Sequence, residues 1–403
     1  MSQPHLVTAA PVAGPLSRTR THLIRRLVRY AERLPTAVTA LGLFAVARIG
    51  GMVAVALAAR RSGQDTFQLL GGSWDSRWYT GIAEHGYGRT LHFEPGVVHS
   101  DLAFFPLYPG LVRALTEVLP LAAAAAGLLI SWLAAAAAAW GMYAIGLRLR
   151  GRATATFLVL LWGLLPHSVV LSMAYTEPVL TAFAAWSLYA VLSGRWLWAG
   201  SLAALAGLSR PNGFAVAAAV GAAAAYELWP RRGRLSLRQW AGVLLAPLGW
   251  GGYVLWVGWR RGDPLGGYFA VQRGWGSRFD FAAGNLEFVR HLLADGDRLV
   301  FPVTLVLVAA AVLLFGLLAA DRAPLPLLVY SGVLLLVAVG GSGFFESKPR
   351  FLLPAFPLLL PLAAALARTA KARPVHATLV VTALAGLSLG YGAYLVTLAR
   401  IPL

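Results

Sequence analysis

Cysteine is absent from the chain, which excludes disulfides and thiolate metal sites and leaves the compartment open. Charge is scarce as well: only 12% of the 403 residues are Asp, Glu, Lys or Arg, and acidic residues are the rarer sign, 16 against 34 basic. With 58% hydrophobic residues and a mean hydropathy of +0.68, a water-soluble globule is excluded, and the chain reads as a polytopic, all-α membrane protein. The formal net charge of +18 would suggest nucleic acid in a soluble protein. Here the basic residues gather in short loops between apolar runs, which is how membrane topology is encoded, so no nucleic-acid partner is expected. Nothing matches a Walker loop, a glycine-rich dinucleotide turn or a nucleotide-sugar site. Abundant Ala, Gly and Arg with few Lys suggest a high-GC bacterial coding sequence.

Residues 1–35 carry Arg18, Arg20, Arg25, Arg26, Arg29 and Arg33 ahead of the first apolar run. This basic segment is expected to stay in the cytoplasm, and the run after it, 37–59, is too long for a signal-peptide core and reads as a start-in anchor. Arg48 interrupts that span. A lone Arg costs about 2.5–3.5 kcal/mol at a helix centre, so it is expected to face protein or water rather than lipid. Residues 60–119 form a first loop outside the cytoplasm. Within it 102–119, with Pro106, Pro109, Arg113 and Glu117, suits an interfacial helix better than a span. Further apolar runs at 120–147, 153–173, 178–192, 196–209, 213–229, 239–259, 299–320, 325–344, 351–367 and 376–398 bring the expected total to about eleven spans in one domain over 36–403. That orientation sends Arg195, Arg231, Arg232, Arg234, Arg238, Arg322, Arg368, Lys371 and Arg373 to the cytoplasm. The C-terminus and a second large loop, 260–298, fall outside, making this a plasma-membrane protein with an outward-facing site.

The polar residues left on the outer side are of another kind. They include GSWDSRWYTGIAEHGY around Asp75, AYTEP at Glu177, SRPNG at Arg210 and FFESKPRF around Lys348. Asp75 lies between Trp74 and Trp78, aromatics that favour the membrane interface. Its carboxylate suits either a general base towards a sugar hydroxyl or an N-terminal cap for the helix that follows. Glu84, His85, His92, Glu94, His99 and Asp101 are ligand types, but their spacing fits no compact metal site, so no metal is assigned and a divalent cation has no support from ligand spacing. Glu84 and His85 remain candidate substrate contacts. Glu177 opens a span, where a carboxylate complements the helix dipole without further role. Arg210, Lys348 and Arg350 oppose the topological bias, and a phosphate ligand explains them; snorkelling to headgroups or a Glu346–Arg350 ion pair would explain them as well. In the 260–298 loop, Tyr268, Gln272, Arg273 and Trp275 either cover the site or belong to a plain connector.

These strings, together with DLAFFPLYPGLVRAL and FFESKPRFLLPAFPLLLP and taken in order from the first loop to about Pro361, resemble the motifs of PIG-V-type mannosyltransferases of the GT-C glycosyltransferase superfamily, including bacterial relatives. The resemblance implies a GT-C-like bundle with interfacial helices in the first outer loop, a polyprenyl-phosphate-linked mannose donor and inversion at the anomeric carbon. It places the base on Asp75, and the phosphate of such a donor is the ligand expected at Arg210, Lys348 and Arg350. By motif it adds Trp74, Arg77, Trp78, Tyr79, Tyr87, Tyr108, Glu177, Asn212 and Glu346 to the substrate contacts. The acceptor, whether glycan, glycolipid or protein, is left open. The competing class is a multispan transporter or lipid flippase, which predicts charges near mid-membrane and inverted repeats. No convincing repeat is visible, and the polar motifs lie at span ends.

Overall fold

The structure, a computed structural model, describes residues 34–93, 97–228, 236–295 and 298–399. The N-terminal arginines, Glu94, Arg231, Arg232 and Arg234 lie outside the described residues.

Among the described residues the chain is helical apart from two short antiparallel pairings, Thr90–His92 with Val98–Ser100 and Arg278–Phe279 with Gly341–Ser342. Five helices are long and apolar enough to cross a membrane: Thr36–Arg61, Ala123–Arg150, Leu237–Arg260, Val300–Ala320 and Pro374–Thr397. A sixth candidate is broken, Phe345–Leu352 followed by Phe356–Ala372 with a bend of 77° between them. The protein is thus an all-α, multispan membrane bundle. Each of the eleven expected runs falls on a helix or helix pair, but not every one has crossing length. Glu177–Leu192 and Leu325–Gly340, of 16 residues each, reach about 24 Å at 1.5 Å per residue, short of the roughly 30 Å hydrocarbon core. Arg152–Gly163 and Trp196–Ser209 are shorter still.

Small residues set how closely the helices approach, as expected where lipid offers no hydrophobic drive between them. A Cβ at Gly200 would run into the Gly242 carbonyl and one at Gly249 into the Ala204 carbonyl, so Trp196–Ser209 packs backbone to backbone on the Leu237–Leu245 and Leu248–Arg260 helices. Arg48 is buried against protein, as its cost in lipid requires: its guanidinium donates to the Ser168 carbonyl and to that of Ala47, the latter at 3.3 Å. It thereby satisfies backbone in the 3-10 turn Ser168–Ser172.

The first loop folds onto the bundle as short helices. Leu107–Val118 starts with Pro106 at its N-cap and Pro109 in its first turn, where a missing N–H leaves no bond unmade. Its Tyr108 and Val112 pack with Tyr79, Ile82 and Ala83 of the Asp75–His85 helix against Ala123 and Ala126 of the Ala123–Arg150 helix. A second apolar cluster joins Leu102 and Phe105 to Tyr253, Val257 and Tyr268, which ties the 260–298 loop to the first one. Trp275 of the 260–298 loop packs on Trp78 of the Asp75–His85 helix.

Candidate functional site

Asp75 is the first residue of the Asp75–His85 helix, and the N-cap is Trp74, with φ 50° in a region that a bulky residue seldom occupies. Neither residue makes a side-chain cap, so the capping alternative for Asp75 is not the one adopted. Its Oδ2 instead accepts a hydrogen bond from Nη1 of Arg350 at 2.8 Å. Arg350 sits in the short Lys348–Leu352 helix of the bent pair, where it is buried by the surrounding protein. Phe344, just upstream, is left-handed with φ 45°. Two strained non-glycine residues thus flank the two ends of this ion pair.

Behind Arg350 lies Glu177, whose side chain has no exposed surface. Its Oε1 is 3.2 Å from Arg350 Nε and 2.6 Å from Arg210 Nη1. Arg210 follows the Trp196–Ser209 helix and also donates to Thr176 Oγ1 at 3.0 Å, and the same hydroxyl lies 3.1 Å from the Tyr79 hydroxyl. Two carboxylates and two guanidiniums therefore form one nearly buried, formally neutral network. Such an arrangement is tolerated only when each charge is paired, because desolvating an unpaired ion costs several kcal/mol. Aromatic faces complete the shell: the Arg350 guanidinium lies 5.0 Å from the Phe351 ring and 5.2 Å from that of Tyr175. Burial pushes the Tyr79 phenol above its ordinary range, so it remains protonated and able to donate.

A cavity of about 690 Å³ opens onto this network. Of the residues singled out in the sequence, Trp74, Asp75, Arg77, Trp78, Tyr79, Arg210 and Arg350 line it, and Gln272 and Trp275 close it from the 260–298 loop. Trp275 meets Trp78 edge to face at 5.1 Å and stacks on His99 at 4.0 Å. Burial holds the His99 ring below the usual histidine range, which favours the neutral imidazole. A second cavity of about 650 Å³ lies beside the same helix, lined by Glu84, His85 and Tyr87.

The remaining candidates sit elsewhere. Lys348 Nζ donates to the carbonyls of Ala338 and Gly341, 2.7 Å each, at the end of the Leu325–Gly340 helix, and it does not line the cavity. Glu346 does not line it either, and Arg350 turns to Asp75 and Glu177 rather than to Glu346. Tyr108 is buried, donating to the Gly127 carbonyl at 2.8 Å and meeting Ser131 Oγ at 2.9 Å. Asn212 is buried in the turn Pro211–Gly213 with Oδ1 unpartnered. Among the described residues no three His, Asp or Glu side chains converge as a metal site.

Sequence reasoning passed over Thr176 and Arg89. Thr176 gave no signal beyond its place in AYTEP. Arg89 is a basic residue in the loop expected outside, the same signal that drew attention to Arg210 and Arg350.

No protein-family model matches the chain, and no curated sequence matches it. Among solved structures, the chain is similar to the oligosaccharyltransferase of Archaeoglobus fulgidus, determined with zinc and sulfate, at 13% identity and a TM-score of 0.45. The match covers 88% of this chain and 54% of that one, so the chain spans about half the length of that protein. This is a distant likeness of helical arrangement, and it carries neither a residue nor an activity across.

Proposed function

We propose that the protein is a GT-C-type, inverting glycosyltransferase that moves a sugar, mannose by motif resemblance, from a polyprenyl-phosphate donor to an acceptor hydroxyl at the outer membrane face. In this reading about eleven segments cross the bilayer and the first loop lies outside. The observation that carries it is the Asp75 carboxylate on the wall of a cavity of about 690 Å³, 2.8 Å from an arginine that a buried glutamate holds.

The reaction needs few groups. Asp75 takes the proton of the acceptor hydroxyl as its oxygen attacks the anomeric carbon, and the bond from that carbon to the phosphate oxygen breaks. The electron pair leaves with the lipid phosphate, and the guanidiniums of Arg350 and Arg210 meet the growing charge in a site already organised for it. A phosphate arriving at Arg350 also competes with Asp75 for Nη1 and frees the carboxylate to act as base. Lys348, assigned to the same phosphate by sequence, belongs in this reading to the helix end whose carbonyls it satisfies.

The donor assay decides the matter. Purified enzyme is expected to transfer sugar from polyprenyl-phosphate mannose and not from GDP-mannose, and Arg350→Ala to raise the donor KM more than the acceptor KM. Transfer from the soluble nucleotide sugar alone overturns the mechanism, whereas activity with a different lipid-linked sugar keeps the mechanism and discards mannose.

Sidedness is tested separately, and the lack of cysteine makes that simple. Ser76 and Ser347 are buried, so the reporter positions are exposed ones, Thr90 in the first loop and Ser236 before the Leu237–Leu245 helix. In intact cells Thr90→Cys is expected to react with an impermeant thiol reagent and Ser236→Cys to be spared. The reverse pattern would put the site in the cytoplasm.

A further inference from the structure

The formal charge around the main cavity does not cancel. Asp75 and Glu177 offset Arg350 and Arg210, but two more guanidiniums, those of Arg77 and Arg89, line the same wall. Among the described residues neither has a carboxylate within ion-pair distance. Of the acidic groups nearby, Asp101 Oδ2 accepts from the Gly88 and Arg89 amides at 2.8 and 2.7 Å while its Oδ1 is unpartnered, and the half-exposed Glu84 lies 3.9 Å from the His85 ring.

Both arginines are nonetheless held in place. Arg77 donates from Nε to the Gly72 carbonyl at 2.7 Å, which leaves its two Nη groups uncommitted. Arg89 is fixed at its backbone by Asp101, itself almost fully buried, whose amide donates back to the Arg89 carbonyl at 3.0 Å. The Arg89 guanidinium lies 5.1 Å from the Trp78 ring, and a Cβ on Gly81 would sit 3.9 Å from its Nη1. Gly81 is one helical turn on from Arg77, so the Arg89 guanidinium lies over the helix face from which Arg77 springs, while the Arg77 side chain itself reaches back to Gly72. Arg77, Trp78 and Arg89 also line the second cavity, so the pair stands at the boundary between the two spaces.

We infer that Arg77 and Arg89 form an anion seat at this boundary for a phosphate or carboxylate group carried by the acceptor. The inference rests on the transferase reading of the cavity. The occupant follows from the walls. Beyond that boundary the second cavity is lined by the charged groups Arg77, Glu84, Arg89 and Asp101 together with Trp78 and Tyr87, with Ile82 the one aliphatic side chain of any size. That suits a hydrophilic glycan and not a prenyl tail. Two forked guanidiniums with free Nη groups match the oxygens of a phosphate or carboxylate.

The test needs no transfer, so it remains readable whether or not the donor assay succeeds. Full-length protein in phosphatidylcholine nanodiscs is treated with phenylglyoxal, and modification of each arginine is followed by mass spectrometry, with exposed Arg60 and Arg61 as internal controls. Glucose 6-phosphate is expected to slow modification of Arg77 and Arg89, while glucose and undecaprenyl phosphate leave them unprotected. In Arg89→Gln the concentration that protects Arg77 should rise about tenfold, the loss expected for one charge-assisted contact. Equal protection of the controls, no protection at Arg77 and Arg89, or protection by undecaprenyl phosphate overturns the proposal, the last by giving the seat to a lipid-borne phosphate.

Discussion

Asp75→Asn is expected to reduce transfer by about two to four orders of magnitude, the usual contribution of a positioned general base, with insertion retained and a smaller loss of thermal stability than removal of the fully buried Glu177 causes, since Asp75 is 21% exposed. The amide is isosteric, and its oxygen can still accept the Arg350 hydrogen bond that Asp75 Oδ2 receives at 2.8 Å. Arg350 keeps its second carboxylate, Glu177. What is lost is the capacity to hold a proton taken from the acceptor. Single-turnover transfer from a lipid-linked donor separates this from a binding defect: the rate should collapse while donor affinity holds or improves, since the phosphate no longer competes with a charged neighbour for Arg350. A variant transferring at near wild-type rate removes Asp75 from catalysis.

Glu177→Gln is expected to have the largest effect on stability. The arginines it serves have side chains only 6 and 7% exposed. Removing one partner of a buried pair costs about 3–5 kcal/mol, because the remaining charge stays desolvated. Here two guanidiniums would face Asp75 alone. The expected result is a much lower yield of folded protein, or a markedly lower melting temperature in detergent. Glu177→Gln combined with Arg210→Gln should recover part of the loss, since the double variant restores the charge balance; coupling between contacting charged residues runs to about 0.5–3 kcal/mol. Wild-type stability in the single variant would mean that water or lipid headgroups already neutralise the arginines, and the network would lose its structural role.

Much of the fold was legible because membrane helices announce themselves one at a time. Every apolar run found in the sequence coincides largely with helix, and 102–119, set apart by its prolines and charges, contains the 12-residue helix Leu107–Val118 packed on the Asp75–His85 helix. The span count was less legible, since a run can be apolar without having crossing length: Trp196–Ser209 has the bounds of its apolar run yet only 14 residues, ending at Arg210, which is extended before Pro211 and pairs with Glu177. In the site, the sequence pointed to Asp75, Arg210 and Arg350 as outer charges that topology did not need. It could not pair them, because no periodicity links a first-loop residue to the broken span. Glu177 shows the limit best. A carboxylate in the first helical turn is ordinary by position, and only its burial between two arginines sets it apart. Lys348 carried the same sequence signal as Arg350, yet the side chains two positions apart diverge, one to backbone carbonyls and the other to Asp75.

The Asp75–Arg350 bond joins residues 275 positions apart, and that distance has a meaning during synthesis. At about 5–20 residues per second, the ribosome needs about 15–55 s after making Asp75 to deliver Arg350. Throughout that interval the first-loop helices can dock on the Ala123–Arg150 helix, but their carboxylate has no cation to meet. The bent helix pair is therefore the piece that completes the site, ahead of the last helix, Pro374–Thr397. A chain stopped short of Phe345 would carry every motif of the first loop, together with a buried Glu177 and Arg210, and still have no assembled site.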